Sequence, residues 1–110
     1  MADIYRLEIP DGVIFLPIAQ NATGTLLFGI AGKRIVVLST WLIAANQVAA
    51  KFQTSTGPTD LSGPANCAQF GGFVLNFNAG GWFQTLPGDS LILNLNAGVA
   101  VGGSLSYALV

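Results

Sequence analysis

Apolar and polar residues alternate with a period of two along much of this chain, as they do in strands that bury one face. The clearest run spans 90–96, with Leu91, Leu93 and Leu95 on one side and Ser90, Asn94 and Asn96 on the other, Ile92 among them. Phe73, Leu75 and Phe77 alternate with Val74 and Asn76, and Val48, Ala50 and Phe52 alternate with Ala49, Lys51 and Gln53. Leu26, Phe28 and Ile30 share one side of a strand predicted over 25–30. Leu105, Tyr107 and Leu109 do so over 99–110, where Gly102-Gly103 predicts a bulge or tight bend. Residues 34–44 are apolar on both sides and read as a strand covered on both faces. A helix competes there, because Leu38, Leu42, Ala45, Ala49 and Phe52 lie near helical spacing. The β-branched Ile35-Val36-Val37 run and the Ser39-Thr40-Trp41 cluster favour the strand.

Turn signals separate these runs: Asp11-Gly12, Ala31-Gly32-Lys33, Asn78-Ala79-Gly80-Gly81 and Pro87-Gly88-Asp89, with a short strand at 82–85. Residues 55–72 read as loops around one short element near Asp60–Ser62. The sum is about eight short strands with turns about every ten residues, which predicts an all-β fold, an antiparallel β-sandwich of jelly-roll-like form. Residues 25–110 are assigned to that domain. Residues 1–24, which hold Asp3, Arg6, Glu8 and Asp11, are set apart as an N-terminal arm or edge segment.

Composition narrows the functional classes. The 110 residues carry four basic and five acidic side chains, no histidine and one cysteine, and 52% are apolar. An ordinary domain is about 25% charged; this one is 8%. Side-chain catalysis needs titratable groups or metal ligands near the reacting atoms, so no enzyme activity, cofactor or metal is expected. Asp60 and Asp89 are the only carboxylates in the body of the predicted sandwich, both in turn contexts that suit backbone capping. Cys67 cannot form an internal disulfide and reads as a small buried filler. A net charge of −1, with only Lys33-Arg34 as a basic pair, argues against nucleic acid. The longest greasy stretch, 35–45, is too short to span a bilayer. The N-terminus lacks a basic-then-apolar layout, so the expectation is a chain made in the cytoplasm, with no membrane partner. Sparse charge on so apolar a chain points to a surface covered by protein, since interface cores are depleted in charge.

The order of motifs resembles a known group. Ala31-Gly32-Lys33-Arg34-Ile35-Val36-Val37-Leu38-Ser39 precedes Phe52-Gln53-Thr54-Ser55 and Leu61-Ser62-Gly63-Pro64. Gly71-Gly72-Phe73-Val74-Leu75, Gly81-Trp82-Phe83-Gln84-Thr85, Gly88-Asp89-Ser90-Leu91 and Val101-Gly102-Gly103-Ser104-Leu105-Ser106-Tyr107 follow. Over roughly residues 25–110 this is similar to small β-sandwich virion structural proteins of tailed bacteriophages, among them the capsid decoration, or cement, proteins. The resemblance implies a homotrimer on the surface of the virion that clamps the major capsid protein, with no catalytic residues. On that reading Asp3, Tyr5, Arg6, Glu8, Val13 and Phe15 in the arm contact the capsid, and Trp41, Phe73, Phe77, Trp82 and Tyr107 pack the core or the trimer. The alternative is a carbohydrate-binding or adhesion module on a head fibre or tail, with Trp82, Phe83 and Tyr107 as stacking faces and Asn76, Asn78, Gln84, Asn94 and Asn96 as polar partners.

Overall fold

The computed structural model describes residues 12–110, which form ten strands and no helix. The strands are β1 (Ile14–Gln20), β2 (Gly24–Leu27), β3 (Ile35–Ala44), β4 (Val48–Thr54), β5 (Thr59–Asp60), β6 (Ala65–Cys67), β7 (Gly72–Leu75), β8 (Phe83–Gln84), β9 (Leu91–Leu95) and β10 (Val101–Leu109). One sheet runs β1-β10-β3-β7, with β8 also on β3; the other runs β2-β9-β4-β5, with β6 also on β4. All pairs are antiparallel, and the chain crosses between the sheets repeatedly. With β5 and β6 sharing one position and β7 and β8 another, these orders are the eight-strand jelly roll with its two Greek keys. The short split strands account for ten segments where the sequence pattern suggests about eight.

The alternation determines the core. Leu91, Leu93 and Leu95 of β9 point inward with Val48, Ala50 and Phe52 of β4, and meet Ile35, Val37, Leu42, Leu105 and Val101 from the facing sheet. Phe52 and Phe83 close the sandwich with ring centroids 5.0 Å apart. Burying each such side chain contributes about 1.5–3 kcal/mol before ordering costs.

Several expectations change. The sheet already begins at Ile14, within the segment set apart as arm or edge, and β1 is the edge strand beside β10. Pro17 sits in β1, a placement open to proline only where one side of the strand lacks a partner. β2 stops at Leu27, leaving Phe28 and Ile30 exposed. Just beyond it, the Gly29 N–H donates to Ser90 Oγ, and the Gly29 backbone lies so close to Gly88 that any Cβ would be 2.1 Å from the carbonyl oxygen. That anchorage holds the chain end against the β8–β9 turn rather than along β9. β3 is a strand, yet it is not covered on both sides: Trp41 and Ile43 are exposed. The irregularity in the β3–β10 pairing falls at Leu38, opposite Ser106/Tyr107, and not at Gly102-Gly103, which keep regular register. Gly103 is needed for close backbone approach instead, because a Cβ there would lie 1.9 Å from the Trp41 carbonyl oxygen, whereas at Gly102 nothing comes nearer than 3.9 Å.

This contrast predicts that Gly103→Ala lowers stability by about 3 kcal/mol or more while Gly102→Ala stays within about 0.5 kcal/mol. Urea denaturation midpoints of the two variants check it.

Candidate functional site

Directly paired residues of antiparallel strands project to the same face, so the register fixes what each sheet shows to the outside. Across β1, β10, β3 and β7 three neighbouring outward rows read Ala19–Gly102–Ile43–Gly72, then Pro17–Ser104–Trp41–Val74, then Phe15–Ser106–Ser39. No side chain in these rows is charged or carries an amide. Phe15 is 63% exposed, Trp41 45%, Ile43 50% and Val74 69%. The Ser39 and Ser106 hydroxyls satisfy each other at 2.5 Å, so even the polar atoms of the third row are turned to one another.

Gly102 has no side chain and Ala19 nearly none, so the second row's Trp41 stands beside a depression. The result is an open trough of about 630 Å³ lined mainly by apolar groups, Trp41, Ile43, Phe70, Ala19 and Ala100, with the amides of Gln20 and Asn21 at one end. Phe70 holds a positive φ of 60°, a region costly for a bulky residue, and is 74% exposed at the trough's rim. Two backbone hydrogen bonds maintain it: the Phe70 N–H donates to Ala44 O and the Gly71 N–H to Ala68 O.

The other sheet is its opposite. Its outward positions include Thr25, Asn94, Lys51, Gln53, Asp60 and Asn66. Lys51 Nζ lies 3.2 Å from Asp60, and Gln53 Nε2 donates to Asp60 Oδ1 at 2.8 Å. These two contacts hold the Asp60 carboxyl below its ordinary value, Gln53 first and Lys51 second. One sheet presents a polar face with an ion pair and the other a face whose three central rows are uncharged and apolar, the fourth row, Ala108–Val36–Gln84, bringing in one amide.

The carboxylates have structural tasks. Asp89 does more than close its own turn. Its Oδ2 accepts from the Thr54 hydroxyl at 2.6 Å and the Thr56 N–H at 2.9 Å, and its Oδ1 from the Thr56 hydroxyl at 2.8 Å. This latch ties the end of β4 to the β8–β9 turn and lowers the Asp89 pKa, through Thr54 foremost and then Thr56. Asp60 and Asp89 share no partner. Cys67 is buried, and among the described residues no group of three His, Cys, Asp or Glu could hold a metal ion.

The residues expected from sequence to contact the capsid or pack the core fall in several places. Asp3, Tyr5, Arg6 and Glu8 lie outside the described residues. Val13 is half-buried ahead of β1, and Phe15 is on the outer face of β1. Tyr107 is buried and faces inward beside Val37, and Phe73 packs against the core from β7. Trp41 is on the outer face, and Phe77 and Trp82 are exposed in the β7–β8 connection, so these three are not core residues. Trp82 is held by its indole N–H, which donates to Asn76 O at 2.7 Å. Of the amides proposed as sugar partners, Asn94 and Asn96 belong to the opposite sheet and cannot serve Trp82, and Asn96 Oδ1 is engaged by the Ala49 N–H. Reasoning from sequence missed Ser104, Gly102, Val74 and Phe70. The first three could have been found by pairing 101–109 against 35–44; nothing in the local pattern marks Phe70.

Compared with protein-family models, with curated proteins and with solved structures, the chain matches none.

Because the Asp89 carboxyl is lowered, its latch stabilises the fold fully above the ordinary aspartate value near pH 3.9 and the stabilisation is lost as pH falls through the native-state value. Thermal melts from neutral down to about pH 3 should therefore show acid destabilisation that is flatter in Asp89→Asn, with Asp60 the other contributor among the described carboxylates.

Proposed function

We propose that this chain is a structural protein of a bacteriophage virion, a capsid decoration (cement) protein that works as a homotrimer on the shell surface. The observation that carries this reading is the uncharged outer face of β1-β10-β3-β7 set against a polar opposite sheet. A face of that kind is suited to being covered by protein, because its three central rows offer water no ions or amides and bury apolar area when covered. The more specific role rests on the resemblance of the motif order to that of small virion β-sandwich proteins. The charge distribution supports it, with Asp3, Arg6, Glu8 and Asp11 gathered ahead of the sandwich, where they can meet a polar shell surface.

The mechanism is mechanical. Each few hundred Å² of added contact contributes several kcal/mol at about 25 cal/mol per Å² before ordering costs. Repeated over a shell, such contacts oppose the outward pressure of a packed genome. The apolar face holds the subunits together and the N-terminal segment reaches the major capsid protein. β1 limits how much of that segment is free for the shell, since Leu16 and Ile18 pack with the core. The shell contact is therefore proposed for the residues ahead of Ile14, where the sheet begins.

Antibody raised against the purified chain should label the heads of intact particles whose genome encodes it. A chain lacking residues 2–11 should keep the β-sheet circular dichroism of the full chain and bind those particles at least about tenfold more weakly. Absence of head labelling would overturn the reading, and undiminished binding by the truncated chain would overturn the arm.

One observation favours a second reading, a carbohydrate-binding module on a head fibre or tail: the indole of Trp82 is half-exposed beside Asn76 and Gln84. A glycan array decides it, since this reading requires specific binding that Trp82→Ala removes while the fold is kept.

A further inference from the structure

We propose that the outer face of β1-β10-β3-β7 is covered by the same face of another copy of this chain, the ridge around Trp41 entering the partner's trough over Gly102. The inference rests on the assembly role argued above and names the occupant of that face, leaving the capsid protein to other surfaces.

Chemistry narrows the occupant first. The three central outward rows hold no charge and no amide, and the only amides at the trough, Gln20 and Asn21, are neutral, so a partner surface carrying ions would leave those ions buried and unpaired, at a cost of several kcal/mol for each. The occupant must itself be charge-free and rich in apolar groups. The opposite sheet of this chain, with Lys51, Gln53, Asp60 and Asn94, does not qualify. The face itself does.

Shape comes next. Trp41, Ile43 and Val74 form a raised strip, and Ala19 and Gly102 form the low ground next to it. Ridge and trough therefore lie side by side within one face. Two copies related by a two-fold axis can each insert a ridge into the other's trough, and three copies can do so in sequence around a ring. Neither arrangement recruits any other surface.

Size is adequate. Phe15, Trp41, Ile43 and Val74 are each about half to two-thirds exposed, which with the groups between them places the face on the order of 500 Å². A specific interface should clear about 1,000 Å² in total, roughly 500 Å² per partner. Packing through a sheet edge is the weaker route, since the longest edge strand among the described residues is β1, which contains Pro17.

Analytical ultracentrifugation tests the pairing. The wild-type chain should sediment as an oligomer of the 11.4 kDa unit. Ser104→Arg and Val74→Lys place a cation in the middle row, where the side chain points outward, and should weaken association by at least about a hundredfold with far-UV circular dichroism unchanged. Asn94→Arg, on the polar sheet, should leave the oligomer intact. A wild-type monomer, an oligomer indifferent to both middle-row variants, or one equally dissociated by Asn94→Arg would each overturn the pairing. Particle labelling is read separately: a monomer that still labels heads sinks the pairing and spares the virion role, whereas an oligomer dissolved by Ser104→Arg that labels no particle does the reverse.

Discussion

The nine-residue strand β10 lies hydrogen-bonded between β1 and β3, and this three-strand pairing is the constraint on which the rest of the molecule depends. Its inward residues Val101, Leu105 and Tyr107 are buried against the facing sheet, while its outward residues Gly102, Ser104 and Ser106 are small. A single strand thus supplies the inner face with bulk and the outer face with flatness. Gly103 lets β3 approach closely enough for this to occur in the middle of the sheet, and the extra residue at Leu38 restores inward direction to Val37 and Ile35 after Ser39 has turned outward. If the register slipped by one residue, the leucines would face outward and the serines would enter the core, so the hydrophobic pattern itself fixes the pairing.

The two sheets divide labour in a way that composition alone conceals. Nine charged residues on 110 describe an average, and the average hides that Lys51 and Asp60 share one outer face while the central rows of the other have none. In a solitary jelly roll both outer faces would be expected to alternate with polar residues, as antiparallel sheets with one solvated side do. Here the alternation on β3 runs apolar on both sides at Leu42 and Ile43, and the second apolar side is exposed at Trp41 and Ile43. That is the physical content of reading the molecule as a component of something larger.

The fold was legible in the sequence because its signal is local. Leu91, Leu93 and Leu95 alternate without interruption, and Val48, Ala50 and Phe52 do the same across from them, so two core strands and their faces could be read directly. The sheet orders also need the long-range pairings, which no run of residues announces. The candidate face was less legible for the same reason. Trp41 was recognised as important and assigned to packing, but its neighbours across the sheet, Ser104 and Val74, are 63 and 33 residues away in the chain, and only register makes them a row. Phe70 was invisible because its exposure follows from a left-handed backbone, a conformation that phenylalanine itself disfavours. Asp89 looked like a turn residue and is one, yet its carboxylate serves Thr54 and Thr56 across the fold.

The central rows are built from glycine, alanine, proline and serine around a few stiff aromatic and branched side chains. Such residues possess few rotamers in the free chain, whereas lysine, glutamate or methionine in the same places would each forfeit about 1.5–2 kcal/mol of motional freedom when immobilised. A surface of this make-up is already close to its bound state before any neighbour arrives, so little disorder remains to be surrendered on contact.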